Sequence, residues 1–199
     1  MQPLFSKQHL KYVLPLLVVL GVILYTTGYA GRFYSRLQNT LIRTGVITPG
    51  RAEASDFERI EVDLESLYMM TLTDLQGEEL TLGDFKEDVV LINFWASWCP
   101  PCIAEMPGLN QLYEKKKQEI GFLMITWDKD IERARQYRDG KGYTFPVYKT
   151  IGAVPAALRA SSIPTTIILV KKEKAVYRHV GMIAFDDPAM DDFLTELQQ

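Results

Sequence analysis

The sequence predicts an α/β fold, a mixed sheet flanked by helices, preceded by one apolar N-terminal span. Three observations point there. Apolar runs of strand length alternate with stretches of helical periodicity, the last two strand runs adjoin before a final helix, and residues 12–31 carry no charged side chain. With 199 residues, 47% of them apolar, the chain is long enough for one domain with a substantial core. A formal charge of -3 gives no electrostatic reason to expect a nucleic-acid partner, which favours a basic stripe.

The N-terminal run YVLPLLVVLGVILYTTGYAG, Tyr12 to Gly31, lies between Lys11 and Arg32. About 20 helical residues cross a bilayer's hydrocarbon layer, so this run reads as a membrane anchor. A cleaved signal peptide is the rival reading, with Lys7 and Lys11 ahead of the run and Gly28-Tyr29-Ala30 as a cleavage site. Both readings imply export. Arg32, Arg36 and Arg43 follow the run, so the positive-inside rule alone would favour the opposite orientation. Residues 32–58, polar and carrying Gly45, Pro49 and Gly50, read as a tether. The organisation is then a tail (1–11), an anchor (12–31), a tether (32–58) and a folded domain (59–199).

Within the domain, YMMTLTDLQGEELTLGDF gives two short strands around a turn at Gln76-Gly77, an N-terminal hairpin. DVVLINFW, Asp88 to Trp95, is a continuous apolar run suited to a strand covered on both faces. Met106, Leu109, Leu112 and Tyr113 recur at helical spacing, and the charged Glu114–Gln118 run reads as a solvated helix end. GFLMITW predicts a second buried strand and Ile131 to Arg138 a second helix, stopped at Gly140 and Gly142. A short FPVY strand, a small helix around Val154 to Arg159, the strands TTIILV and AVYRHV, and a C-terminal helix through Phe193, Leu194 and Leu197 complete the domain.

The two cysteines of the chain, Cys99 and Cys102, stand where the DVVLINFW strand gives way to a helix. At i and i+3 in a first helical turn they can bond without backbone movement. So small a loop stabilises little, which argues against a staple. A structural zinc site needs four ligands, and the domain offers only His179 besides; copper delivery by the cysteines and His179 remains a binding-module alternative. Redox exchange suits the placement, because a helix N-terminus favours a thiolate at Cys99. Pro100 and Pro101 fit the first turn, where their missing N–H groups have no intrahelical acceptor. Cys102 would resolve the mixed disulfide formed by Cys99, and Glu105, one turn further, is placed either to handle its proton or to serve as a solvated helix acid. A peroxiredoxin-type thiol peroxidase is the enzyme alternative, but Ile92 and Ala96 occupy the proline and threonine places of its Pro-x-x-x-Thr-x-x-Cys pattern.

VVLINFWASWCPPCIAEMP together with SSIPTTIILV resembles the thioredoxin superfamily, specifically its TlpA-like membrane-anchored thiol-disulfide oxidoreductases, from about Leu67 to Leu197. The resemblance implies a thioredoxin fold with Pro164 in the cis form facing the cysteines. It makes Ile163 a substrate-docking residue by strand addition and Trp98 apolar docking surface beside Cys99. It also favours the proton role for Glu105, since the thioredoxin position for a buried acid holds Asn93 here, and an amide exchanges no proton at working pH. Asn93 is then a hydrogen-bonded core residue. The implied partners are a disulfide-containing exported protein and a membrane electron donor, with no cofactor and no metal. Many such proteins act in cytochrome c maturation. One dedicated branch carries Pro-Glu-Thr where this chain has Pro164-Thr165-Thr166, which leaves the substrate open.

Overall fold

The computed structural model describes Val19, residues 49–51 and residues 53–199. Except for Val19, the expected anchor lies outside the described residues, among which no helix is long and apolar enough to cross a membrane. The chain divides into two units, Met1–Ile47 and Thr48–Gln199, and the second carries the fold.

In chain order its elements are β1 (Glu58–Glu61), α1 (Leu64–Tyr68), β2 (Thr71–Thr73), β3 (Glu79–Thr81), β4 (Val89–Trp95), α2 (Pro100–Lys116), β5 (Gly121–Thr126), α3 (Ile131–Gly140), β6 (Lys149–Ile151), β7 (Thr165–Val170), β8 (Ala175–Val180) and α4 (Pro188–Gln198). The main sheet has the order β1-β8-β7-β4-β5, with β4 and β5 parallel and the other pairs antiparallel. This is the thioredoxin-like mixed sheet.

Every residue of β4 is buried, as its unbroken apolar run requires of a central strand with both faces covered. Its side chains alternate between two cores. Leu91 and Trp95 pack with Met106 and Leu109 of α2 and Phe193 of α4, while Val90, Ile92 and Phe94 share the opposite face with Leu123, Ile125, Ile167 and Leu169 in a second cluster. Asn93 shares the α2 side with Leu91 and Trp95, which aims its amide at that helix. Leu91 is fully buried, so Leu91→Ala is expected to cost about 2–5 kcal/mol of unfolding free energy, measured by urea titration.

Five places depart from the sequence reading. The hairpin forms, Thr71 opposite Thr81, but β6 adds to its other edge to give a three-stranded sheet. That third strand begins at Lys149 rather than within FPVY; Pro146 has no N–H for a ladder, and Tyr148 makes only an isolated bridge to Ile125. The expected helix near 154–159 is a single 3-10 turn, Ala156–Leu158. The end of the expected tether belongs to the domain. Phe57 is buried against His179 and Phe193, Glu58 opens β1 on the edge of β8, and Gly50 bridges Ile183. Apolar burial of Phe57 holds this segment down. In the Glu114–Gln118 run Lys116 is buried, with its ammonium on Glu119, Asp191 and Thr195, so this stretch is only partly a solvated end.

Candidate active site

The C-terminal end of β4 delivers the dithiol. Cys99 is the N-cap of α2, with extended backbone at φ -92° and ψ 105°, and Pro100 and Pro101 fill the first turn. Cys99 and Cys102 are disulfide-bonded with Cα atoms 5.3 Å apart. The Cys99 sulfur accepts the amide of Cys102 at 3.4 Å, the donor that would face a thiolate there. Cys99 is 4% exposed and Cys102 not at all. Of the two, Cys99 alone has any exposure.

β7 runs antiparallel to β4 with Thr165 opposite Phe94, so the turn before β7 arrives at the same end of the sheet. Its Ile163-Pro164 peptide is cis, and the Ile163 carbonyl oxygen lies 3.9 Å from the Cys99 sulfur. Thr165 donates its hydroxyl to Ser162 O at 2.8 Å, and Gly181 donates its amide to Pro164 O at 3.0 Å, which fixes the turn from both sides. Trp98 projects beside the cysteines and is 59% exposed.

Glu105 is the largest difference from a surface reading, being buried at 1% exposure. Its Oε1 accepts Asn93 Nδ2 at 2.9 Å and its Oε2 accepts the Ile183 amide at 3.2 Å. Burial raises its pKa to about 8, against the opposing pull of those two hydrogen bonds. Asn93 also donates to Thr166 Oγ1 at 3.1 Å, while its own Oδ1 is buried without a partner. The strand amide and the helix acid thus meet across β4 and α2. Period-2 alternation in β4 puts Asn93 on the α2 side, but the sequence reading did not join the two residues. A cleft of about 290 Å³ is lined by Glu105, Pro107, Gly108, Ile183 and Asp186 among others.

His179 donates its Nδ1 to the Asp56 carbonyl at 3.2 Å and sets its ring against Phe57. Among the described residues no group of three or more His, Cys, Asp and Glu side chains is arranged to hold a metal. Sequence reasoning missed Trp127, 40% exposed just after β5, and Asp128, buried beside it. Trp127 donates its amide to Trp95 O at 2.8 Å, so it flanks the strand end that carries the cysteines.

A dithiol at a helix N-cap, facing a cis-proline turn at one end of a mixed sheet, defines a thiol-disulfide oxidoreductase of the thioredoxin superfamily. The Redoxin family model matches residues 52–194, and the chain belongs to that family. The thiol-disulfide oxidoreductase ResA of Bacillus thuringiensis subsp. konkukian (strain 97-27) is 34% identical over 134 residues, covering 62% of this chain and 72% of that protein. The thioredoxin-like protein YneN of Bacillus subtilis (strain 168) is 33% identical over 114 residues, 56% of this chain and 67% of its own. Among solved structures, a secreted thiol-disulfide isomerase from Corynebacterium glutamicum superposes with a TM-score of 0.55 at 23% identity, covering 75% of this chain and 98% of that one.

Proposed function

We propose that this chain reduces disulfides of exported polypeptides at the outer face of the cell membrane. The observation that carries this reading is the division of labour at α2: Cys99 keeps a little exposure beside the cis-proline turn, while Cys102 is fully buried one helical turn from Glu105, whose pKa burial raises to about 8. In the reduced protein, Cys99 thiolate attacks a substrate disulfide, forming one mixed disulfide and releasing one substrate thiolate. Cys102 gives its proton to ionised Glu105, attacks the Cys99 sulfur and expels the second substrate thiolate. That leaves the Cys99–Cys102 disulfide, with the proton on Glu105. When a donor dithiol restores the pair, the proton returns to the Cys102 thiolate as it leaves. Transfer in both directions needs acid and base of comparable pKa, and a carboxyl raised to about 8 lies close to a thiol.

Trp98 and the Ile163-Pro164 backbone supply the docking surface, apolar from the first and extended from the second. Residues 12–31 anchor the protein and the following segment tethers the domain, within which Gly50 pairs with Ile183. The donor is a membrane dithiol carrier, and apocytochromes c are one substrate class to test, although Pro164-Thr165-Thr166 departs from the Pro-Glu-Thr of the dedicated cytochrome branch.

Insulin reduction by dithiothreitol tests the activity: the protein is expected to accelerate precipitation of the insulin B chain, and a rate equal to dithiothreitol alone would overturn the reading. In the native host, Cys102→Ala is expected to accumulate a mixed disulfide with an exported protein, separable on non-reducing gels. Capture solely of cytoplasmic proteins would refute the exported-substrate assignment.

A further inference from the structure

We propose that Asp128 is a positioning residue for the reactive loop, acting through Ser97 on the Trp98-Cys99 segment; the proposal rests on the disulfide-exchange reading above. Asp128 follows the end of β5 and is 1% exposed. A carboxylate so buried needs several donors, and here they come from the loop ahead of the cysteines. Its Oδ2 accepts the Ser97 amide at 2.9 Å, and its Oδ1 accepts the Ser97 hydroxyl at 2.8 Å. Thr126 completes the set, donating its hydroxyl to Oδ2 at 2.8 Å while accepting the Asp128 amide at 3.1 Å. Both polar groups with which Ser97 can donate are thereby held by one side chain of the neighbouring strand end.

Ser97 and Trp98 are the two central residues of a turn closed by the Cys99 amide on Ala96 O at 3.1 Å. Two short bonds to Ser97 therefore fix the rotation of the whole turn. That rotation sets the direction of Trp98 and the N-cap backbone of Cys99, on which the approach of the Cys102 amide to the Cys99 sulfur depends. The far side of the Asp128 turn is pinned as well: Lys149 of β6 donates to the main-chain oxygens of Asp128, at 2.8 Å, and of Lys129. The latch thus links the cysteine loop to the end of β5 and, through Lys149, to β6. No part of the proton transfer between Cys102 and Glu105 uses Asp128. Its place is upstream, in holding Cys99 ready for attack.

The test compares Asp128→Ala, Asp128→Asn and Ser97→Ala in the full chain. Two readouts are the iodoacetamide alkylation rate of Cys99 across pH and the kcat and KM for insulin reduction, with thermal midpoints recorded beside them. Displacement of a reacting sulfur by a fraction of an ångström is costly, so Asp128→Ala is expected to lower kcat/KM by about tenfold and to shift the alkylation profile. Ser97→Ala, which removes one hydroxyl bond and no charge, should lose about threefold. Asp128→Asn recovers most of the rate, because its amide oxygen can still accept from the Ser97 amide and the Thr126 hydroxyl while its amino group donates to the Ser97 hydroxyl. Alkylation and kcat/KM of Asp128→Ala within about twofold of the parent would overturn the proposal. So would an Asp128→Asn loss as deep as that of alanine, which would assign the effect to charge. Should Asp128→Ala not fold, Ser97→Ala decides the matter by the same two readouts. Failure of the parent protein to reduce insulin would count against the exchange reading alone, since the alkylation comparison needs no disulfide substrate.

Discussion

Cys99→Ala is expected to bring insulin reduction down to the rate of dithiothreitol itself, a loss of at least about 100-fold, while leaving the fold intact. The reason is geometric. Cys102 is wholly buried, so the remaining thiol cannot reach a protein disulfide, and no third cysteine exists to substitute for it. Cys102→Ala should behave differently: Cys99 still attacks, and the product stops at the mixed disulfide because nothing resolves it. The two variants therefore separate on a non-reducing gel, with adduct in one and none in the other. Equal adduct from both, or appreciable turnover by Cys99→Ala, would reverse the assignment of nucleophile and resolving thiol. Stability offers a further check, since the disulfide spans only a three-residue separation and its closure removes little chain entropy. Both variants should unfold within about 2 kcal/mol of the oxidised parent, so lost activity will not reflect lost structure.

How much of this could be read from the chain follows from the kind of signal each residue carries. Strand β4 was legible because seven consecutive buried residues admit few other readings, and the cysteines at its end inherited their placement from it. Strand β1 was not: Glu58-Arg59-Ile60-Glu61 has one apolar residue, and what makes it a strand is the free edge of β8, a tertiary partner that local pattern does not contain. The same reason hides β6, whose residues become a strand by pairing with β2. At the site, the spacing of Glu105 from Cys102 was visible, whereas its burial was not. An acid in an early helical turn ordinarily faces water, and only the seating of α2 on β4 and against Ile183 excludes it. Asp128 gave no signal at all, because Trp127-Asp128-Lys129-Asp130 reads as a polar turn after a strand. Its inward carboxylate is a consequence of two parallel strand ends lying side by side.

The buried acid has a consequence for stability as well as for the proposed proton transfer. Glu105 titrates near 4.5 when unfolded and near 8 in the fold, chiefly through burial. Between these values the unfolded chain releases a proton that the native state keeps, so the contribution of Glu105 to stability is fully present below about pH 4.5 and declines as pH rises toward 8. One such group contributes a slope of up to about 1.4 kcal/mol per pH unit. Glu105→Gln carries no proton to lose and removes that slope. Its amide also fits the site: the side-chain oxygen can accept from Ile183, and the amino group can face the Asn93 Oδ1, unpartnered in the parent, once that amide turns over. Urea midpoints from pH 5.5 to 8 should thus fall for the parent relative to the glutamine variant, the gap widening with pH. The carboxylates held low by neighbours, among them Asp191 beside Lys115 and Lys116 and Asp84 beside Thr81, act in the opposite sense: their stabilisation is lost in acid, below this window. Catalysis should respond to the same substitution at the second step only. With no carboxylate to accept the Cys102 proton, resolution slows by about 100-fold, whereas attack by Cys99 continues and the mixed disulfide builds up with both cysteines present. Parallel stability curves together with unimpaired turnover would make Glu105 a packing residue, and the proton would have to reach solvent by a route that bypasses the cleft above it.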